Sequence, residues 1–302
     1  MRVMVVLNPS ADLGHGLQKR EAIMRAGEKW GGLSLTVTKN RNHAREIATH
    51  AAEDGYDVVV AAGGDGTIHE VVNGLVLDRQ NKTKLGIIPI GSGNDYAYAL
   101  NIPDDISAAV ELIFTGRPQS VDLGLVEDDR GIRELFNNNF GAGFDANVVI
   151  RVEEITRLHG FAKYFWGVLK TLVLDFRSLP FEMQFDDEKV SEDVWFMTFG
   201  IGMRHGGGFM LTPEAKIDDD LVDTCMVQPI GRLRALMLLN SAVKGTHIDL
   251  DVVKMRQSRR IKINCADPIP IHIDGEIFAF PADGVHCLKI TSLPSAIEVV
   301  VR

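Results

Sequence analysis

The sequence predicts two domains: an N-terminal α/β domain built on a doubly wound parallel sheet, and a C-terminal antiparallel β-sandwich-like domain with a few helices. Three observations carry this. The first third alternates β-branched apolar runs with segments of helical period. Near Val121 the texture changes to short strand-like runs divided by Gly, Pro and Asp. A chain of 302 residues has room for two cores of ordinary size.

Arg2 to Leu7 reads as the first strand. A loop follows at Asn8-Pro9-Ser10 and Gly14-His15-Gly16, then a helix over Gly16 to Trp30. Ser34 to Thr38 is the second strand, and Asn42 is placed to cap a helix whose Ala44, Ile47, Ala48, Ala51 and Ala52 share one face. Val58 to Ala62 is a β-branched run suited to a central parallel strand. Gly63 and Gly64 break it. Thr67 and Glu70 have capping-box spacing, and Ile68, Val71, Val72, Leu75 and Val76 fall on one helical face. Leu85 to Pro89 is a further strand, and Ser107 to Phe114 a helix ended by Gly116 with Pro118 beyond. The loops after Leu7, Ala62 and Ile90 therefore share the carboxyl edge of one parallel sheet, where such folds bind ligands.

Beyond Val121, VDLGLV, ELFNNNF, VWFMTFGIG, LVDTCMV, IKINC, IPIHID, EIFAF and CLKIT read as strands. Two helical segments interrupt them, over 151–177 and 231–245, and Ile297 to Val301 is the last strand.

Composition narrows the function classes. Hydrophobic content of 45% and charged content of 24% are ordinary for a globular protein. A net charge of −9 argues against nucleic acid as a partner. Cys225, Cys265 and Cys287 are far apart, form no CxxC and read as buried, reduced thiols in a reducing cytosol. MRVMVVLNPS is a short strand and not a signal peptide, and no apolar run reaches transmembrane length; Tyr164 to Leu174 is short and carries Lys170. Any membrane contact is expected to be peripheral. Oligomeric state is left open, and a homodimer is allowed.

The stretch GGDGT at 63–67 carries the chemistry. A glycine turn feeding a helix from a strand end presents backbone N–H groups to phosphate. Asp65 is the odd residue: a carboxylate repels phosphates unless a cation or a donor intervenes, which favours metal–phosphate chemistry. In Pro89 to Ala97, Gly91 and Gly93 allow close backbone approach, Ser92 offers a hydroxyl, and Asn94 and Asp95 open the next helix.

Taken together, GGDGT with His69-Glu70 and Asn73-Gly74, GSGND at 91–95, and Ile273-Asp274-Gly275-Glu276 resemble the diacylglycerol kinase catalytic-domain family, shared by bacterial lipid kinases, diacylglycerol kinases and sphingosine kinases. NAD kinases carry a related GGDGT, but GSGND departs from their pattern. The motifs run in family order from Asn8 to Glu276. The resemblance implies a bacterial-type lipid kinase that uses ATP and Mg2+, binding nucleotide through Asn8, Thr38, Gly63, Gly64, Asp65, Gly66, Thr67, Glu70, Gly91, Ser92, Gly93 and Asn94. It implies Glu276 as general base, Asp65 and Asp95 as the carboxylates that organise magnesium and phosphate, and Asp274 as support for the turn. NNNFGAGFDA at 137–146 resembles the family's segment after the domain crossover, and Asp122 a recurrent Asp near the hinge.

In bacterial members of the family, the segment that Gly206 to Val227 resembles binds a structural magnesium through one Asp and nearby backbone carbonyls. Position matching gives Asp219, with carbonyls from Lys216 and Leu221, although Asp220 stands where the family usually has Gly. The family's chain end also returns to the first domain. The expected boundaries are therefore 1–123 with 293–302 for the nucleotide domain, and 124–292 for the lipid domain. His69 and His272 are read as packing or surface residues.

The expected reaction is ATP-dependent phosphorylation of a lipid alcohol, diacylglycerol by family default, by a cytoplasmic protein peripheral to an anionic membrane at its inner face. Arg151, Arg157, Lys163, Lys170 and Arg177, beside Phe161, Tyr164, Phe165 and Trp166, are the residues expected to meet that surface. Two rival readings are phosphorylation of a soluble acceptor such as NAD, and a non-catalytic nucleotide- or lipid-binding module.

Overall fold

The β-branched runs near the N-terminus are buried strands of one parallel sheet in the computed structural model, which describes all residues but 78–81, 156, 157 and 159. The chain divides into two units, Met1–Val121 with Ser295–Arg302, and Asp122–Pro294. In the first, β1 (Val3–Leu7) leads through a tight turn, α1 (Ala11–Gly14), to α2 (Arg20–Glu28) and β2 (Ser34–Val37). Then come α3 (His43–Glu53), β3 (Val58–Gly63), α4 (Asp65–Val76), β4 (Lys84–Pro89), α5 (Asp95–Ala99) and α6 (Ile106–Thr115). The sheet order is β2-β1-β3-β4, and the end of the chain adds a further parallel strand, with Val299 opposite Leu85. Val58, Val60 and Ala62 face Ile23 of α2 and Ala109, Val110 and Ile113 of α6. The alternate residues, Val59 and Ala61, face the side of α3 and α4 and are fully buried. Helices thus cover both faces, as the alternating sequence predicts.

Two local expectations change. The helix expected from Gly16 opens as a 3-10 turn at Gly16–Lys19 before α2. Thr67 and Glu70 form no capping box, because α4 starts earlier, at Asp65, with Gly64 as N-cap. Glu70 instead reaches α3: its Oε1 accepts from Asn42 N at 2.9 Å and its Oε2 from Ala44 N at 3.0 Å. Asn42, expected to cap α3, makes no side-chain cap bond and sits in left-handed backbone.

The second unit begins within β5 (Arg117–Asp128) and continues with β6 (Arg133–Phe136), β7 (Asn139–Gly143), α7 (Phe144–Glu153) and α8 (Gly160–Leu174). It goes on through β8 (Leu179–Phe185), β9 (Glu188–Val194), β10 (Phe196–Gly200), β11 (Val222–Val227), α9 (Arg232–Lys244), β12 (Val253–Ser258) and β13 (Arg260–Cys265). It closes with β14 (Ile271–Ile273), β15 (Glu276–Ala279) and the first part of β16 (Cys287–Val301), whose residues from Ser295 on belong to the first unit. One antiparallel sheet runs β9-β8-β13-β16, and the other β12-β11-β10-β7-β14-β15. Their facing side chains make one core: Phe181, Met183, Ile261, Ile263 and Leu288 against Phe140, Met197, Phe199, Val222 and Met226. On β11 the alternate residues Cys225 and Val227 turn the other way, into a cluster with Phe144, Val168, Leu172 and Leu238. Three helices thus cover the outer face of the second sheet, which makes this a sandwich with a helical layer. Burial pushes the Cys225 thiol up to about 12, as suits an inert core residue.

The helix expected over 151–177 is two helices, α7 and α8, and the first starts earlier, at Phe144. Arg157, assigned to its basic face, lies outside the described residues. ELFNNNF is not one strand but two, parted at Asn137 and Asn138. CLKIT and the terminal run join as β16, which carries Pro294 and the left-handed Ser295 along its length. Strands β8, β9 and β12 have no counterpart among the strands expected from sequence.

Glu70→Ala removes both acceptors from the N-terminus of α3. It is expected to cost about 1–2 kcal/mol, the worth of a lost cap, read as a lower urea midpoint; an unchanged midpoint would show that Glu70 does not hold this helix.

Candidate active site

In the first unit, the parallel strands bring several motif loops to one edge. Asn8 follows β1, Thr38 follows β2, GGDGT ends β3, and GSGND follows β4. Thr38 N donates to Leu7 O at 2.9 Å, which sets Thr38 beside the first loop. Asn8 Nδ2 donates to Thr67 Oγ1 at 3.0 Å, while its Oδ1 accepts from Ser10 N at 2.9 Å. The first loop is thereby tied to the glycine turn.

The glycine turn and the 91–95 loop are pressed together. A Cβ on Gly91 would lie 2.3 Å from Gly64 Cα, so position 91 requires glycine for the approach, and a Cβ on Gly64 would lie 3.1 Å from Gly91 Cα, a tight contact. Asp65 Oδ1 accepts from Tyr96 N at 3.1 Å, bonding the odd carboxylate of the turn to the first turn of α5. Asn94, in left-handed backbone, does not cap α5 with its side chain. It closes the loop on itself: Oδ1 accepts from Gly91 N at 3.0 Å and Nδ2 donates to Gly91 O at 3.1 Å. Asp95 is buried at 4% exposure, whereas Ser92 is exposed. Asn8, Thr38, Gly63 to Thr67 and Gly91 to Asp95 are thus gathered on one edge. Glu70 stands one helical turn on, with both oxygens on the backbone of α3. A helix N-terminus flanked by glycines and carboxylates can take phosphate together with a cation.

The second unit holds the other set. Asp274 and Gly275 turn β14 into β15 with φ +49 and +83, both left-handed, as a two-residue hairpin turn demands. The Asp274 carboxylate is buried and accepts three backbone bonds: Oδ1 from Asn138 N and Asn139 N, each at 2.9 Å, and Oδ2 from Asn137 N at 3.0 Å. Asp274 N donates back to Asn139 O at 2.8 Å. The Asn137–Asn139 segment therefore grips the turn, and Glu276, half-buried, is the first residue beyond it. A carboxylate so placed can accept a proton.

His272, read from sequence as packing or surface, is buried with its Nε2 3.2 Å from Asp145 Oδ2. Sequence reasoning assigns Asp145 no role. Its partner lies 127 residues away along the chain, so no local pattern could reveal the pair.

Asp122, at 1% exposure, braces the neighbouring turn: its Oδ2 accepts from Asp220 N at 2.6 Å, and its own N–H donates to Ile217 O at 2.7 Å. Asp220 adopts φ +68, the conformation a glycine takes without strain, and pairs with Arg259 at 3.2 Å. The 216–221 turn therefore forms despite the substitution. Asp219 Oδ1 accepts from Leu221 N at 3.1 Å. Burial, then the charges of Asp219 and Glu214, push the Asp223 carboxyl up to about 6. Negative charge converges here, and one carboxylate with nearby carbonyls is a hard-oxygen set that suits magnesium. Among the described residues no cluster of three or more His, Cys, Asp or Glu side chains could hold a metal. Any site here would need backbone carbonyls, such as those of Lys216 and Leu221.

No helix among the described residues is long and apolar enough to cross a membrane. Arg151 and Lys170 are occupied by ion pairs with Asp175 and Glu154. The exposed side of α8 is instead apolar: Phe161, Phe165, Trp166, Val173 and Leu174. Helix α9 exposes Leu233, Leu236 and Met237.

Two family models match the chain: the diacylglycerol kinase catalytic domain over residues 2–126, and the YegS C-terminal NAD kinase beta sandwich-like domain over residues 138–301. A diacylglycerol kinase of Mycobacterium tuberculosis is 31% identical over 304 residues, covering 99% of this chain and 94% of the relative. A diacylglycerol kinase of Bacillus subtilis is 29% identical over 286 residues, covering 91% and 89%. The solved structure of a diacylglycerol kinase from Bacillus anthracis superposes with a TM-score of 0.74 at 19% identity, covering 100% of this chain and 97% of that one; it shows the shared fold.

Asp274→Ala leaves three backbone N–H groups without their acceptor. Amide hydrogen exchange at Asn137, Asn138 and Asn139 is expected to speed up, with a stability loss of about 3 kcal/mol or more, since each orphaned buried donor costs about 1–3 kcal/mol. Wild-type protection at these amides would contradict the clamp.

Proposed function

The chain belongs to the diacylglycerol kinase catalytic-domain family of lipid kinases, phosphotransferases with an alcohol acceptor, and we propose that it transfers the γ-phosphoryl group of ATP to the hydroxyl of a lipid alcohol, with diacylglycerol as the first acceptor to test. The observation that carries this reading is the joining of the glycine turn to the 91–95 loop, through the Gly64–Gly91 approach and the Asp65–Tyr96 bond.

The nucleotide phosphates lie against the backbone of 63–67 and 91–95, and the adenosine side meets Asn8 and Thr38. Asp65 and Asp95 are the residues that would hold magnesium, directly or through water. Magnesium, when bound, neutralises charge on the phosphate oxygens. Asp219, with the carbonyls of Lys216 and Leu221, would hold a second, structural magnesium. Glu276 takes the proton of the acceptor hydroxyl as that oxygen attacks the γ-phosphorus and ADP leaves. The protein works at the cytoplasmic face of the membrane that supplies its lipid. Support for a peripheral mode comes from the exposed apolar sides of α8 and α9, the latter carrying Arg232 beside Leu233 and Met237.

The reading is tested by transfer of label from γ-labelled ATP to a panel of lipid alcohols and NAD, with products separated. Label on a lipid alcohol is expected, and label on NAD alone would overturn the reading. Asp65→Asn keeps an oxygen for the Tyr96 N–H and removes the charge, so it is expected to abolish transfer while the protein stays folded. Wild-type turnover in the Asp65→Asn enzyme would refute the role.

Vesicles rich in anionic lipid are expected to bind the protein weakly and with salt sensitivity. Trp166→Ala and Met237→Ser should each weaken binding by roughly tenfold, the worth of one large apolar side chain leaving the interface. Binding indifferent to both changes would contradict the membrane face.

A further inference from the structure

The β14–β15 hairpin is held on a second side, by a buried pair that the reaction as described does not use. His272 precedes the turn in β14, and Gly275 N donates to its Nδ1 at 3.4 Å. That contact makes Nδ1 an acceptor and leaves the ring proton on Nε2, which faces Asp145 Oδ2 at 3.2 Å. The two contacts fix one tautomer and one ring orientation.

The strand beside them makes room. His272 lies opposite Gly141 of β7, and a Cβ there would stand 2.3 Å from both Asp145 Oδ2 and His272 Nε2. Only glycine allows the pair to meet. Burial alone would raise the Asp145 carboxyl; the contact with His272, joined by His205 and Thr198, outweighs it and holds the group below the ordinary carboxylate range. The polar neighbours continue inward: His205 Nε2 lies 2.9 Å from Thr212 Oγ1, and Thr212 Oγ1 donates to Gly202 O at 2.7 Å.

A hairpin needs none of this for stability. Ile271 and Ile273 already bury the strand, and a buried polar pair commonly contributes no more than apolar side chains of its size. What the pair adds is a restraint on the Gly275 peptide, one residue before Glu276. With Asp274 gripped by the Asn137–Asn139 amides, the turn is fastened from both flanks.

We propose that Asp145 and His272 are positioning residues for phosphoryl transfer: through the Gly275 N–H they hold the turn that aims the Glu276 carboxylate. The proposal rests on Glu276 being the general base. Asp145 orients the His272 ring, His272 orients the Gly275 peptide, and the peptide sets the direction of the next side chain.

The test is a double-mutant cycle with γ-labelled ATP and the lipid alcohol that the wild-type protein phosphorylates fastest. Glu276→Gln alone is expected to lower kcat by about 10²–10⁴-fold, the usual worth of a general base. The paired change Asp145→Leu with His272→Leu removes both polar partners at once. It should stay folded and lower kcat by roughly 10–100-fold, as a small misplacement of a catalytic group does. The KM for ATP should move less than about twofold, because no nucleotide contact is lost. Added to Glu276→Gln, the paired change should cost nothing more. Wild-type kcat in the folded paired variant, or a full further loss on the Glu276→Gln background, would overturn the positioning role. Wild-type kcat in Glu276→Gln would overturn the base assignment, and the proposal with it. If the paired variant does not fold, Asp145→Asn carries the same two readouts: kcat at the wild-type level refutes the role, and a loss absent on the Glu276→Gln background supports it.

Discussion

Three hydrogen bonds to one buried carboxylate determine where the second unit's β14–β15 hairpin stands. Asp274 cannot be left without partners, because a charge out of water is costly unless hydrogen-bonded. The Asn137, Asn138 and Asn139 N–H groups supply those bonds and fix the strand crossing beside the hairpin. The turn then has a single conformation, and Glu276 projects from a defined point. The same device recurs elsewhere. Asp65 accepts from Tyr96 N, Glu70 from the start of α3, and Asp122 from Asp220 N. In each case a carboxylate of the motif sequence fastens a neighbouring piece of backbone.

For Asp65 this has a chemical consequence. Its Oδ1 is spent on Tyr96, so the carboxylate stands in the glycine turn already oriented. An oriented charge loses little entropy when a cation joins it, which is the sense in which such sites are preorganised. Asn94 does the equivalent for its own loop by bonding both polar groups of Gly91. The first unit thus presents a stiff edge of backbone and the second a stiff hairpin.

What the sequence reveals follows physical locality. The central strand at Val58 to Ala62 is legible because its β-branched residues are buried on both faces, leaving a continuous apolar signal. The glycine turn is legible because a Cβ at Gly63 would strike the Thr67 side chain and one at Gly91 the backbone of Gly64. Partners distant in sequence are not legible: Glu70 looks like a cap for its own helix, yet its geometry serves α3, and His272 looks like packing until Asp145 is placed against it. Strand β9 is invisible for a different reason, since EKVSEDV carries charges along an exposed edge that hides the strand period. Its partner β8 alternates cleanly, with Leu179, Phe181, Met183 and Phe185 buried, but it directly follows a helical stretch whose apolar residues blur its start. The split between α7 and α8 is hidden because apolar and basic residues continue on both sides of it.

The site residues carried by motif are those whose roles remain chemical proposals, and their common premise is direct attack by a hydroxyl whose proton goes to Glu276. The stereochemistry of transfer at phosphorus tests that premise most directly. With ATP made chiral by oxygen isotopes at the γ-phosphorus, a single in-line displacement inverts the configuration in the phosphorylated lipid. Inversion is the predicted result. Net retention, the mark of two successive displacements through a phosphorylated side chain, would contradict the account.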